Sequence, residues 1–208
     1  MYLIALILLA SSSAFYSTSS ILSTPDINAR DLQELERGEI INREQKETRK
    51  GQTFEAIAIF NADMERSAQA IKDYASYPAF MPNVEKIDIV KNDGKNAIIN
   101  YHLGLPLGKK KRYRLALQAE DTDMHTIIQW QMQDWPEIPA DERIGNTTGF
   151  WLLKPYKENK TLVRYHVYTD PGDVPFGLGW IVDFMSEKSI PKVLKNTRDY
   201  IEKNQEQK

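Results

Sequence analysis

From residue 84 to residue 169 the chain alternates apolar and polar side chains with a period of two, the spacing of strands that bury one face. Residues 85–91 and 97–105 flank Asn92-Asp93-Gly94-Lys95, whose Asp-Gly pair suits the positive backbone angles of a tight hairpin turn. Residues 112–119, 125–132, 148–154 and 162–169 read as further strands, separated by polar turns at 107–111, 120–124 and 156–160. Six such runs in order favour an antiparallel meander. Tyr101, Leu103 and Leu105 share one face, as do Tyr113, Leu115 and Leu117, then Ile128, Trp130 and Met132, then Val163, Tyr165 and Val167. The alternate positions are mostly polar, which predicts one apolar, aromatic face and one wet face.

The segments on either side of the meander have helical spacing. Polar residues 26–36, with Leu32 and Leu35 on one face, predict a short lead-in helix that Gly38 ends. A strand over 53–60 leads to Asn61 and Asp63, either of which can cap a helix through Met64, Ala68, Ile71 and Ala75. Tyr77-Pro78 and Met81-Pro82 break the chain twice, leaving room for a turn or a very short helix. Residues 175–203 predict a long C-terminal helix interrupted or bent at Pro191, with Val193, Leu194, Thr197, Tyr200 and Ile201 on one stripe after it. That stripe needs the apolar face of the sheet as its partner.

Residues 1–10, MYLIALILLA, are apolar, and the small residues Ser11, Ser12, Ser13 and Ala14 follow. This is the layout of an export leader with a small-residue cleavage site, and the run is well short of the roughly 20 residues that span a bilayer. No Lys or Arg precedes it, so a retained anchor or a buried helix stays open beside cleavage. The division expected is a signal peptide or anchor over 1–23, a lead-in helix over 24–37, one domain over 38–203 and a polar tail over 204–208, in an exported, periplasmic protein. With no cysteine, disulfides, thiolate nucleophiles and Cys-ligated metals are excluded. A formal net charge of -2 and a single short basic run at 109–112 argue against nucleic acid as the partner.

The stretch Asp73-Tyr74 through Tyr77-Pro78-Ala79-Phe80-Met81-Pro82-Asn83-Val84 resembles the "Asp-Tyr, x, x, Tyr/Phe-Pro, x, Phe-Met-Pro, x, Val" stretch of bacterial START-like proteins, in the polyketide cyclase and lipid transport superfamily. Thr169-Asp170-Pro171-Gly172, followed by Val174-Pro175 and an apolar helix, resembles the end of the same domain. The resemblance runs over about residues 38–201. It implies an α+β helix-grip fold, a curved antiparallel sheet wrapped around a long C-terminal helix, with a hydrophobic cavity between them. The inward stripe then supplies the ligand-binding wall: Tyr101, Leu103, Tyr113, Leu115, Leu117, Ile128, Trp130, Trp151, Tyr165 and Val167 from the sheet, and Ile181, Phe184 and Met185 from the helix. The partner implied is a hydrophobic small molecule or lipid, with transient membrane contact open and no cofactor. No catalytic residue set carries over.

The individual chemistry is sparse. His102, His125 and His166 occur singly, without the spacing of a metal site, and alternation puts His102 and His166 on the wet face. Asp121 and Asp123 fall in a turn, where Asp serves local backbone hydrogen bonds. Gly177 and Gly179 beside Trp180 fit a flexible cavity entrance or helix packing, and lack the third glycine of a dinucleotide site. The long loop 133–146, with Trp135, Pro136, Ile138 and Pro139, fits a cavity rim or a surface loop whose Trp and Ile pack down on the sheet. Buried Tyr hydroxyls and indole N–H groups need partners, which favours a cavity with a polar guest over a solid core. Two rivals remain: an enzyme of polyketide cyclase or dehydrase type working on a cavity-bound substrate, and an interaction domain with a filled core.

Overall fold

The computed structural model describes residues 15–23, 27–45, 51–172 and 189–204. Two helices come first, α1 (Thr18–Leu22) and α2 (Ala29–Glu36). Asn28 and Asp31 form a reciprocal capping box at the start of α2, and Gly38, at φ +88°, closes its end by donating its N–H to the Leu35 carbonyl. Strands β1 (Ile41–Gln45) and β2 (Gln52–Phe60) lead to α3 (Met64–Lys72), which starts where Asp63 accepts the Arg66 N–H at 2.8 Å. The twice-broken proline stretch folds as a 3₁₀ turn (Tyr74–Ser76) and a single helical turn, α4 (Tyr77–Phe80).

Six strands follow: β3 (Val84–Asn92), β4 (Asn96–Leu105), β5 (Lys109–Asp121), β6 (Thr126–Gln133), β7 (Asn146–Pro155) and β8 (Thr161–Asp170). They form the expected meander, and the β3–β4 turn is held by the Asp93 carboxylate, which accepts the N–H groups of Lys95 and Asn96. β1 and β2 complete an eight-stranded antiparallel sheet in the order β1-β2-β8-β7-β6-β5-β4-β3. The β2–β8 pairing joins distant parts of the chain, with Phe54 opposite Val167 and Ala56 opposite Tyr165. Helix α5 (Ile190–Lys203) lies against the inner face. Its buried Leu194 and Ile201 share a core with Phe60, Ala68 and Ile71, and Tyr200 stacks on Phe80 at 4.3 Å. Pro191 stands in the first turn of this helix, where its missing N–H is not needed. The preceding part of the expected helix, with Gly177, Gly179 and Trp180, lies outside the described residues.

The face expected to be wet is largely covered. Alternation fails in β2 (QTFEAIAIF) and β7 (NTTGFWLLKP), which carry apolar side chains on both faces. Leu35 of α2 covers Ile57 and Ile59. Ile21 of α1 is fully buried with Ile127, Phe150 and Leu152, and Tyr16 and Leu22 pack around them. Residues 16–23, expected as the end of a leader, therefore pack as part of the domain. Glu55 on this face is buried, and Arg164 binds it through Nε at 2.7 Å and Nη2 at 2.6 Å. His166 stacks on Phe150 at 5.0 Å beneath Tyr16, so it is covered instead of solvated. His102 pairs with Asp88 at 2.8 Å.

Candidate functional site: an uncharged cavity under the C-terminal helix

A cavity of about 140 Å³ lies between the inner face of the sheet and the start of α5. Strand geometry alone places most of its wall, because every second residue of β4 to β8 points inward. Tyr101, Leu103, Tyr113, Leu115, Leu117, Ile128, Trp130, Trp151, Tyr165 and Val167 all line it. Ile181, Phe184 and Met185 lie outside the described residues.

Ser189, Ile190 and Val193 close the wall from the start of α5, and the remaining residues come from places that periodicity does not reveal. Tyr77, Met81, Pro82, Asn83 and Val84 contribute from the proline-broken stretch, Ile144 from the loop before β7, and Thr147 and Thr169 from paired positions on β7 and β8. Asn83 adopts a left-handed conformation (φ +64°), which Asn tolerates better than other side-chain-bearing residues. Its carbonyl accepts the Gly104 N–H at 2.9 Å, and its Nδ2 lies 3.3 Å from Ser189 Oγ at the head of α5. The signal was present in the sequence as the Met-Pro-Asn-Val motif, but only as a fold marker. Trp135, considered as a rim residue, is not on this wall. It covers the Arg114 guanidinium at 5.2 Å and meets His102 edge-on at 5.6 Å, while Ile138 is buried and Arg143 ties the loop to the carbonyls of Pro136 and Ile138.

The polar groups of the cavity are neutral: four phenols, the hydroxyls of Thr147, Thr169 and Ser189, the Asn83 amide and two indoles. Tyr101 and Tyr113 stack across β4 and β5 at 5.0 Å, and Tyr165 lies 4.5 Å from Trp151 and 5.6 Å from Trp130. Tyr77 donates its hydroxyl to the Ile71 carbonyl at 2.6 Å. The hydroxyls of Tyr101, Tyr113 and Tyr165 have no hydrogen-bond partner among the described residues. Burial pushes all four hydroxyls above the ordinary tyrosine range, so each stays a neutral donor at physiological pH. No carboxylate, imidazole, ammonium or guanidinium stands on the wall among the described residues. Nor do three His, Asp or Glu side chains among them come close enough together to hold a metal ion. Such a wall can bury an apolar body and offer hydrogen bonds to a carbonyl, ether or hydroxyl on it.

No family model and no curated protein matches the chain by sequence. Solved structures do match by shape. The chain is similar to a STAR-related lipid transfer protein from Xanthomonas axonopodis, with a TM-score of 0.68 and 16% identity over 78% of this chain and 93% of that one. It is similar to human StAR-related lipid transfer protein 5, with a TM-score of 0.68 and 13% identity over 81% and 84%. A Streptomyces aromatase/cyclase, Zhui, matches with a TM-score of 0.57 and 11% identity over 78% and 94%. At these identities the likeness speaks for the backbone: the chain has the α+β helix-grip fold of START-like lipid transfer and polyketide aromatase/cyclase domains, with an eight-stranded antiparallel sheet curved around a C-terminal helix.

Proposed function

We propose that this protein binds a hydrophobic small molecule, bearing at least one hydrogen-bond acceptor, between its sheet and C-terminal helix. The observation that carries this reading is a largely apolar cavity whose wall, among the described residues, has no charged group and three tyrosine hydroxyls without a hydrogen-bond partner. Apolar burial supplies the affinity, at roughly 25 cal/mol per Å², and the phenols supply orientation. The described space is close to that of the dry engineered cavity that takes up benzene. A ring or a short branched chain therefore fits without movement of the wall, and a long acyl chain requires the wall to open. The lipid transfer and cyclase proteins that share the fold support the same class of guest. The binding reading is favoured over the enzymatic one because the described wall carries no carboxylate or imidazole to act as a base: its phenols hold their protons tightly, and its other donors are Thr and Ser hydroxyls, an amide and indoles.

Contact with a lipid surface has a natural place in this reading. The β4–β5 turn holds Leu107 at φ +60° with 82% of its surface exposed, next to exposed Lys109 and Lys110. This apolar tip with basic flanks suits an anionic bilayer, and it projects from the strand ends that carry Leu103 and Tyr113 to the cavity wall.

The test is purification without detergent, solvent extraction and mass spectrometry of what comes off. A stoichiometric apolar molecule is the expected result. A protein that is empty and also takes up nothing from a panel of ring-sized apolar probes overturns the reading.

A further inference from the structure

The segment expected as the end of an export leader is built into the domain, and that fixes where a leader can be cut. Ser17 caps α1 by accepting the Ser20 N–H. Tyr16 sets its ring edge against Phe150 and His166 and places its hydroxyl 3.2 Å from Thr148 Oγ1. Thr18 donates to Glu120 at 3.1 Å. Ile21 is fully buried between Ile127, Phe150 and Leu152. Arg164 Nη1 donates to the carbonyls of Ile21 and Ser23 at 3.1 and 3.0 Å while the same guanidinium neutralises buried Glu55. Loss of residues 16–23 would bare three large apolar side chains and let water onto a buried ion pair, whose second partner survives burial only while paired.

Cleavage compatible with the fold therefore lies before Tyr16. Upstream, Ser12 and Ala14 put small residues three places and one place before the bond between Ala14 and Phe15, the pattern that leader processing requires. We infer that the exported chain is processed between Ala14 and Phe15, and that its new N-terminal segment remains on the convex face of the sheet as a strap. The strap is independent of what the cavity binds.

The full chain, tagged at its C-terminus and expressed in an exporting bacterium, tests this by N-terminal sequencing and intact mass of the product. A chain beginning at Phe15 is expected. A mature start anywhere from Thr18 to Thr24, or a full-length chain held in the membrane, overturns the assignment. Ala14→Glu should convert the product to accumulated precursor by tenfold or more, and unchanged processing would sink the proposed site. Ile21→Ala in the same full chain should lower the urea midpoint of the processed product, and an unchanged midpoint would remove the strap.

Discussion

Tyr101 and Tyr113 are direct cross-strand partners on β4 and β5, and their rings lie nearly parallel, 8° apart, on the cavity wall. The pair separates two jobs. The stacked rings hold the wall, and in the proposed function the hydroxyls are the groups that would meet a guest. Tyr113→Phe should keep the stacking and stability to within about 0.5 kcal/mol while removing one hydrogen bond worth about 0.5–1.5 kcal/mol, or roughly two- to tenfold in affinity. Titration calorimetry with a carbonyl-bearing apolar probe checks it. Equal affinity for the variants Tyr101→Phe, Tyr113→Phe and Tyr165→Phe would deprive the phenols of their role.

Gly149 on β7 sits opposite Trp130 on β6, and a methyl group there would meet the Trp130 ring at 2.4 Å and the His166 carbonyl at 2.3 Å. Because one of those obstacles is backbone, the chain cannot relax by a rotamer change. Gly149→Ala should destabilise by about 1–3 kcal/mol, as overpacking does. It should also displace an indole on the cavity wall, so loss of probe binding at temperatures where the variant is still folded is the accompanying result. Thermal melts with and without probe measure both.

Five of the ten tyrosines, Tyr74, Tyr77, Tyr101, Tyr113 and Tyr165, are held above their usual range by desolvation, Tyr74 at about 12. Their folded values exceed the unfolded value of about 10, so the folded state retains protons that the unfolded state gives up. The stabilisation is fully present below pH 10 and is lost as pH rises from 10 towards 12 and beyond. Phenolate absorbance of these five should appear together with unfolding. A smooth non-cooperative titration of all ten near pH 10 would contradict the buried placement.

Arg164→Met should cost about 3–5 kcal/mol, because it strands the Glu55 carboxylate in the core. Burial pulls the Glu55 carboxyl up, and the stronger combined pull of its His166 and Arg164 contacts holds it below its usual value of 4.5. Its contribution to stability is thus present above pH 4.5 and fades as acid takes the pH down through the lowered folded value. Adding Glu55→Gln to Arg164→Met should recover part of the loss in urea unfolding at pH 7.

Leu107→Asp should weaken sedimentation with vesicles rich in anionic lipid and leave the fold unchanged, since the side chain is 82% exposed. Replacing Lys109 and Lys110 with Gln should cost about 1 kcal/mol per charge at low salt. Equal sedimentation of all variants would rule out this turn as the contact.

The inner wall was legible because period-two alternation survives in β4, β5, β6 and β8, and a single inward residue per pair fixes a whole face. The hairpin at Asp93-Gly94, the Asp63 cap and the Gly38 stop were legible for the same local reason: each is decided by the backbone chemistry of one or two residues. The outer face was not. Phe150, Trp151, Leu152 and Leu153 form a continuous apolar run that shows burial on both sides without naming what covers the second side, and the cover, Ile21, sits among serines and threonines that read as a linker. Asn83 and Ile144 escaped because loop residues have no period to betray their direction.

Among the described residues the sheet begins at β1 and ends at β3, and these two strands do not pair with each other. In a closed barrel, strand number and stagger dictate the bore. Here nothing of that kind sets the girth: the distance from the strands to α5 depends on side chains and on such ties as Asn83 to Ser189 at the helix head. The same eight strands can therefore enclose spaces of different width when a few inward residues are exchanged, with the hydrogen-bond ladder left as it stands.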